Sequence, residues 1–275
     1  MTDLMNKWTK RLSAALFAAC VAGMPVNALA ETPAPTTAPA GEAAPAAEQA
    51  NGLPAAREVI DRHIEATGGK EAFANLKSMH MRGTMTVPEQ NLRGTLEVWQ
   101  KPGKMLSIFE IPQLERQMQG LIDGVAWETS VNQGSRLIEG NEKAALQRSN
   151  DMQVYLHPEK YYSDMQTVRT DQVDGKKAFV VKMTPKVGEP EIQYFDAETG
   201  RLVKSEMVAD SPMGRIPMTV TYDNYKPHGP ITMSTRQVIS FGPARLVSDM
   251  SEVELNVDIP DEKFAPPAEI KAMMK

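Results

Sequence analysis

Hydrophobic and polar residues alternate along the stretch 79–99. A period of two is typical of a β-strand with one buried and one solvated face. The polar segment 88–91 divides the stretch and begins with a proline, which has no N–H to donate to a sheet. The pattern therefore predicts a β-hairpin whose apolar face is rich in methionine. The apolar positions on that face are Met79, Met81, Met85, Leu96 and Val98.

Similar short runs continue to the end of the chain. Turn residues separate them, and Asp123-Gly124 is a strong signal for a two-residue hairpin turn. We count about ten or eleven strands, which predicts a mainly β (α+β) protein built on a strongly curved antiparallel sheet or half-barrel. Such a sheet has an inner face that must be covered.

Two segments break the strand pattern and could serve as helical lids. Residues 54–67 have the spacing of an amphipathic helix and end at Gly68-Gly69, where a left-handed cap is needed. Ile60 and Ile64 lie one turn apart on this helix, so we expect both to contact the sheet. The segment 139–162 predicts one or two further helices between strands.

The alternation also predicts which side chains point inward, if the strand register continues across the turns. Methionine is flexible and polarizable, and it lines surfaces that adapt to varied apolar partners. These residues either line a deformable pocket for an elongated apolar ligand or fill an ordinary core. Trp99 has the opposite parity and is expected to face outward or to cap an edge. The candidate pocket residues are Met79, Met81, Met85, Leu96, Val98, Phe109, Ile122 and Trp127.

The N-terminus has the composition of a secretory signal peptide. A basic start precedes an apolar run at 12–23 and small residues ending at Ala30. The run is too short to span a bilayer, and no later stretch approaches the required length. We therefore expect a periplasmic protein, cleaved after Ala30; lipid anchoring at Cys20 is the less favoured alternative. The predicted divisions are a signal peptide at 1–30, an Ala/Pro-rich disordered linker at 31–53 and a folded domain at 54–275.

Charge and motifs argue against several function classes. The formal net charge is −5, without the basic footprint of a nucleic-acid-binding protein. The chain lacks GxSxG, a phosphate-binding glycine loop and a dinucleotide fingerprint. Its four histidines are far apart and do not form a metal-ligand motif. No catalytic residue, metal or cofactor is predicted, and a hydrolase with converging carboxylates is a distant alternative.

Several caps and turns resemble those of a known family. These are the helix ending at Gly68-Gly69, the Phe-Asp-x-x-Thr-Gly-x-Leu hairpin at 195–202 and the closing Ile-Pro-Asp-Glu-Lys-Phe at 259–264. They resemble the periplasmic lipoprotein-carrier (LolA/LolB-like) superfamily, and more closely its outer-membrane lipoprotein-sorting relatives. The resemblance implies a half-barrel with helical lids over an apolar cavity, which in studied members holds lipoprotein acyl chains. It implies neither a cofactor nor an enzymatic activity.

Two functions are compatible with these patterns. The first is an exported, non-enzymatic binder or carrier of an apolar ligand, such as a lipid or lipoprotein acyl chain, held between the sheet and its lids. The alternative is a cell-envelope interaction module with a dry core, whose sheet edge or convex face binds a protein partner. An open cavity behind the methionine face would distinguish the first function from the second.

Overall fold

The computed structural model describes residues 52–211 and 214–274, and within them thirteen strands form one antiparallel sheet. The order across the sheet is β6-β5-β4-β3-β2-β1-β13-β12-β11-β10-β9-β8-β7. The strands are β1 (Met79–Val87), β2 (Leu92–Lys101), β3 (Lys104–Ile111), β4 (Glu115–Ile122), β5 (Val125–Ser130), β6 (Gly134–Ile138), β7 (Tyr162–Val173), β8 (Lys176–Pro185), β9 (Glu191–Asp196), β10 (Leu202–Ser211), β11 (Gly214–His228), β12 (Ile231–Phe241) and β13 (Ala244–Leu255).

The predicted mainly β fold, a curved antiparallel sheet with helical segments, is confirmed. The sheet has more strands than the predicted ten or eleven, because short runs such as Gly134–Ile138 carry no clear alternation. The predicted signal peptide and nearly all of the predicted linker lie outside the described residues. None of the helices in the described part of the chain has the length and apolar character needed to cross a bilayer.

The helices are short, and most begin or end where the sequence indicates. They are α1 (Ala56–Ala66), α2 (Lys70–Ala74), α3 (Gly140–Ser149) and α4 (Ala268–Met273), with 3₁₀ turns at Pro88–Gln90, Pro158–Lys160 and Asp261–Phe264. After α1, Gly68 and Gly69 have φ angles of 139° and 85°, and the Gly69 N–H donates to the Ile64 carbonyl at 2.8 Å. This left-handed end, predicted from the two glycines, turns the chain into α2.

The hairpin predicted over 79–99 is confirmed as β1 and β2. Met81 pairs with Val98, and Met79 pairs with Gln100. The turn is the Pro88–Gln90 3₁₀ helix followed by Asn91 in the left-handed region at φ 52°. The predicted turn at Asp123-Gly124 is also present, and both of its residues have positive φ. This geometry matches the right-handed twist of the flanking strands.

The sheet buries a core on each of its faces. The inner core contains Ile60 and Ile64 of α1 together with six of the eight predicted strand residues, Met79 among them. The outer core lies on the opposite face of β2–β6 and contains Trp99, Trp127 and Phe264. The C-terminal segment, with Asp261–Phe264 and α4, covers this outer core. The fold therefore packs its N-terminal and C-terminal segments on opposite faces of one sheet.

The expectation that Ile122 and Trp127 share a face with Met79 is wrong. Both residues belong to the outer core. Trp127 pairs with Gly120, which pairs with Leu106, and Leu106 pairs with Trp99 on the opposite parity from Val98. The intervening turns set this register, and parity counted within one strand does not carry across them. Trp99 has the predicted parity, but it is buried beneath Lys263, whose Nζ lies 3.5 Å from the ring centroid.

The segment between β6 and β7 connects the two edges of the sheet. Because these edges are the ends of the strand order, the chain must cross a face of the sheet to join them. Val154 lies in the inner core, and Met152, Tyr155 and Leu156 pack against that core. The insertion thus crosses the inner face as a strap, and the prediction of helix within it is confirmed by α3.

Candidate ligand cavity

A cavity of about 150 Å³ lies between the inner face, the end of α1 and the strap. Its walls combine methionine, aromatic and aliphatic side chains with several polar ones, and both helical and sheet elements supply them. Its methionine and phenylalanine or tyrosine lining residues are Phe73, Met79, Met152, Tyr155, Tyr222, Tyr225 and Met233. Such a lining, with a few fixed polar groups, is typical of sites for apolar ligands.

The tyrosine hydroxyls at the cavity are hydrogen-bonded to protein atoms. The Tyr225 hydroxyl donates to the Leu202 carbonyl at 2.6 Å, and the Tyr155 hydroxyl donates to Gln193 Oε1 at 3.2 Å. Burial raises the pKa of Tyr155, Tyr222 and Tyr225 well above the ordinary value. These side chains are therefore uncharged near neutral pH, and they present rings rather than charges to the cavity.

His63 connects α1 to the cavity wall. Its ring packs edge-on against Tyr155 at 5.0 Å and Phe195 at 5.3 Å between centroids. Its Nδ1 lies 3.1 Å from the Gly200 carbonyl oxygen, which can only accept, so Nδ1 carries the proton. Burial lowers the pKa of His63 to about 4, although the Gly200 hydrogen bond opposes this shift. The imidazole is therefore neutral under ordinary conditions.

Of the eight predicted pocket residues, only Met79 lines this cavity. Met79 lines it, whereas the other inner-face residues lie deeper in the same core with at most 1% of their surface exposed. Those deeper residues are Met81, Met85, Leu96, Val98 and Phe109, packed with the lid residues Ile60 and Ile64. Their binding of a ligand stays a prediction, while Ile122 and Trp127 lie on the other face.

Several cavity residues were not predicted from the sequence. Tyr222 has the inward parity of its strand, and that alternation could have identified it. Tyr225 reaches the same cavity because Asn224, with φ 53°, interrupts the alternation of β11. Met152 belongs to the strap, whose course depends on pairing at the sheet edges. No local pattern in the sequence signals either of these placements.

The strap residues 150–161 form the cover of the cavity and are fastened by polar contacts. Asp151 Oδ2 accepts from Lys160 Nζ at 2.6 Å and from the Tyr161 hydroxyl at 2.8 Å. Burial opposes ionisation of Asp151, but Lys160 and the Gln153 amide more than offset it and lower its pKa. Gln153 Nε2 also donates to the Ala74 carbonyl at 3.2 Å, which ties the strap to α2.

A larger cleft of about 460 Å³ adjoins the cavity on the outer side of the strap. Polar residues supply much of its lining, including Gln147, Asn150 and Lys160. Leu76, Asp151 and Met152 line both the cleft and the cavity. The strap at Asp151 and Met152 therefore separates the two spaces.

Solved structures with a similar fold match most of the chain. A LolA superfamily protein from Nitrosomonas europaea has a TM-score of 0.54 and 16% identity, covering 78% of this chain and 99% of that one. A DUF1329 family protein from Desulfovibrio piger has a TM-score of 0.54 and 13% identity, and the match covers 76% of this chain and 97% of that one. An outer-membrane lipoprotein-sorting protein domain from Vibrio parahaemolyticus has a TM-score of 0.52 and 14% identity, and the match covers 76% of this chain and 95% of that one.

These identities show the fold alone. The predicted resemblance to LolA-like proteins is confirmed at that level, because the matched structures are covered almost completely. No family model matches the chain, and no curated protein matches it.

Proposed function

We propose that this protein is an exported, non-enzymatic binder or carrier of an apolar ligand, held between the inner face of the sheet and the strap. The observation that carries the proposal is the cavity of about 150 Å³ with its methionine and aromatic walls. The signal-peptide composition of residues 1–30 supports export to the periplasm. The names of two similar structures, a LolA superfamily protein and a lipoprotein-sorting domain, support a lipid or lipoprotein as the ligand.

The size of the cavity determines how such a ligand must bind. An apolar cavity of roughly 150 Å³ holds a molecule about as large as benzene. A longer acyl chain therefore requires the strap to move outward, so that the cavity extends into the adjoining cleft. Each methylene transferred from water into this space contributes about 0.8 kcal/mol. A chain of several methylenes thus supplies enough free energy to hold the opened strap in place.

The cavity can be filled without altering the buried core. Met233 is half-buried and lines the cavity, so the larger indole of Met233→Trp should occupy its space. We expect this variant to bind the apolar fluorescent probe N-phenyl-1-naphthylamine at least about tenfold more weakly than the parent, a loss of about 1.4 kcal/mol. Titration of probe fluorescence measures the affinity, and circular dichroism checks the fold.

The matched control is Val131→Trp, which adds an indole at a turn residue that is 73% exposed. This variant should bind the probe as the parent does. Native mass spectrometry of protein purified from the periplasm should also detect a bound lipid. A folded parent that carries no lipid and does not bind the probe would contradict the carrier function and favour the interaction module.

A further inference from the structure

A second pocket of about 70 Å³ lies between α3 and the strands β9 and β10, and we call it the polar pocket because charged side chains stand among its aliphatic ones. Its walls carry four carboxylates and one guanidinium, together with a buried amide. The residues concerned are Gln119, Glu142, Arg148, Glu189, Glu191 and Asp210. The proposed binding of an apolar ligand uses none of these groups.

The deepest part of this pocket is an ion pair. Arg148 Nε lies 3.2 Å from Glu191 Oε1, and the two side chains are 8% and 1% exposed. Arg148 also stacks over the Tyr162 ring at 5.6 Å. Burial raises the pKa of Glu191, and Arg148 opposes that rise. A buried pair of this kind is weak evidence for stability, because desolvation of both charges offsets their attraction.

A buried acceptor oxygen in the wall of the pocket has no protein donor. Gln119, which lines the pocket and is 4% exposed, leaves Oε1 without a hydrogen bond. Buried polar groups nearly always have a partner. The Gln119 oxygen therefore indicates that the pocket receives a hydrogen-bond donor from outside the chain.

The charges of the pocket favour a cation. Glu142 pairs with Arg136, and Glu189 pairs with Arg215 at 3.0 Å. With Glu191 paired to Arg148, these three arginines balance three of the four lining carboxylates, and Asp210 leaves the pocket with excess negative charge. Phosphate or carboxylate groups would be repelled here, whereas an ammonium group would be attracted.

The polar pocket is adjacent to the apolar cavity. Ser149, the last residue of α3, lines both of them. We propose that the polar pocket binds the ammonium head of an amphipathic ligand whose apolar chain occupies the cavity. This inference rests on the proposed function, and it specifies the class of ligand as a cationic amphiphile with hydrogen-bond donors on its head.

The test compares three probes that share one chain and differ in their heads. Dodecylamine, dodecanol and dodecanoate are used at pH 7.5, below their micellar concentrations, to displace N-phenyl-1-naphthylamine from the full chain. A charged hydrogen bond and a favourable field together should make dodecylamine bind at least about tenfold more tightly than dodecanoate.

Two variants then locate the preference in the polar pocket. Gln119→Leu removes a buried acceptor at nearly constant size, and Asp210→Asn removes the excess charge. Each should reduce the ratio of the dodecylamine affinity to the dodecanoate affinity to below about threefold. The uncharged dodecanol should lose less affinity than dodecylamine in both variants. Asp174→Asn, at an exposed turn between β7 and β8, is the matched control and should leave the ratio unchanged.

The outcomes separate this inference from the proposed function. Displacement by all three probes with equal affinity, or tighter binding of dodecanoate, would overturn the ammonium site alone. A preference for dodecylamine that persists in both variants would also overturn it. Failure of every probe to displace the dye from a folded protein would overturn the proposed function, and with it the ammonium site.

Discussion

His63 makes the stability of the inner core depend on pH. Its pKa in the folded chain is about 4, below the ordinary value of 6.5, because the imidazole is buried. Between these values the unfolded chain binds a proton that the folded chain does not bind. The contribution of His63 to stability is therefore complete above pH 6.5 and falls as the pH drops towards 4. A pKa difference of this size corresponds to about 3 kcal/mol.

The substitution His63→Gln removes the titrating group and keeps an N–H that can reach the Gly200 carbonyl. We expect its unfolding free energy to change between pH 4 and 7 by about 3 kcal/mol less than that of the parent. Urea denaturation at each pH measures the difference, and the carboxylates titrate alike in both proteins. His157→Gln replaces a histidine side chain that is 61% exposed and should keep the parental slope. If the unfolding free energies of the parent and His63→Gln depended equally on pH, His63 would not be the source of this pH dependence.

Residue positions were predicted well within a strand and poorly across turns. Met79, Met81 and Met85 share the inner face as predicted, because alternation is a local property of extended backbone. Trp127 was misplaced since its face depends on the register of three strand pairs. The location of the cavity could not be predicted either, because it depends on where the strap crosses the sheet.

At the scale of elements, Asp151 joins the beginning of the strap to its end, and we expect this contact to stabilise the closed form of the strap. It joins Lys160 and Tyr161 through one carboxylate oxygen, and its pKa is lowered by these partners. Asp151→Asn removes the ion pair, and a hydrogen bond to a charged group contributes about 1.5–3 kcal/mol. Because the proposed bound state has the strap open, we expect ligand association to accelerate by at least about tenfold and the affinity to rise.

Stopped-flow mixing with N-phenyl-1-naphthylamine measures the association and dissociation rates. The control Asp171→Asn removes an exposed ion pair with Arg169 on the edge strand β7, and it should leave the rates unchanged. Rates in Asp151→Asn that equal those of the parent would mean that the strap does not limit access to the cavity.

The elements themselves were largely visible in the sequence. The end of α1 was predicted because Gly68 and Gly69 take φ angles that favour glycine. The hairpin turn at Asp123-Gly124 was predicted for the same physical reason. The path of residues 150–161 was not predicted, since contacts such as Gln153 with Ala74 are specified by the tertiary fold.

At the scale of the whole molecule, the pairing of β1 with β13 determines the architecture. It joins two meanders, β1–β6 and β7–β13, into one sheet and leaves β6 and β7 as its edges. Residues about 170 positions apart form this pairing, so no local pattern could predict it. The strap crosses the inner face as a direct consequence, and the C-terminus remains to cover the outer face.

The C-terminal cover makes the whole sheet depend on the last residues of the chain. Phe264 has no exposed surface and packs with Trp99 and Trp127 on the outer face. Truncation of such a side chain in Phe264→Ala should lower the free energy of unfolding by about 3–5 kcal/mol. Met274→Ala, at a position that is 43% exposed, is the control and should change it little.

Two probes can show whether this loss of unfolding free energy affects the whole sheet. Trp99 and Trp127 report on the outer core through their fluorescence, while far-ultraviolet circular dichroism reports on all thirteen strands. Because the strands form one continuous sheet, we expect both urea midpoints of Phe264→Ala to fall by the same amount. Loss of tryptophan fluorescence at a lower urea concentration than the loss of dichroism would show that the outer cover unfolds by itself. In that case the two faces of the sheet would be separate cooperative units, and the strap could open without disturbing the outer core.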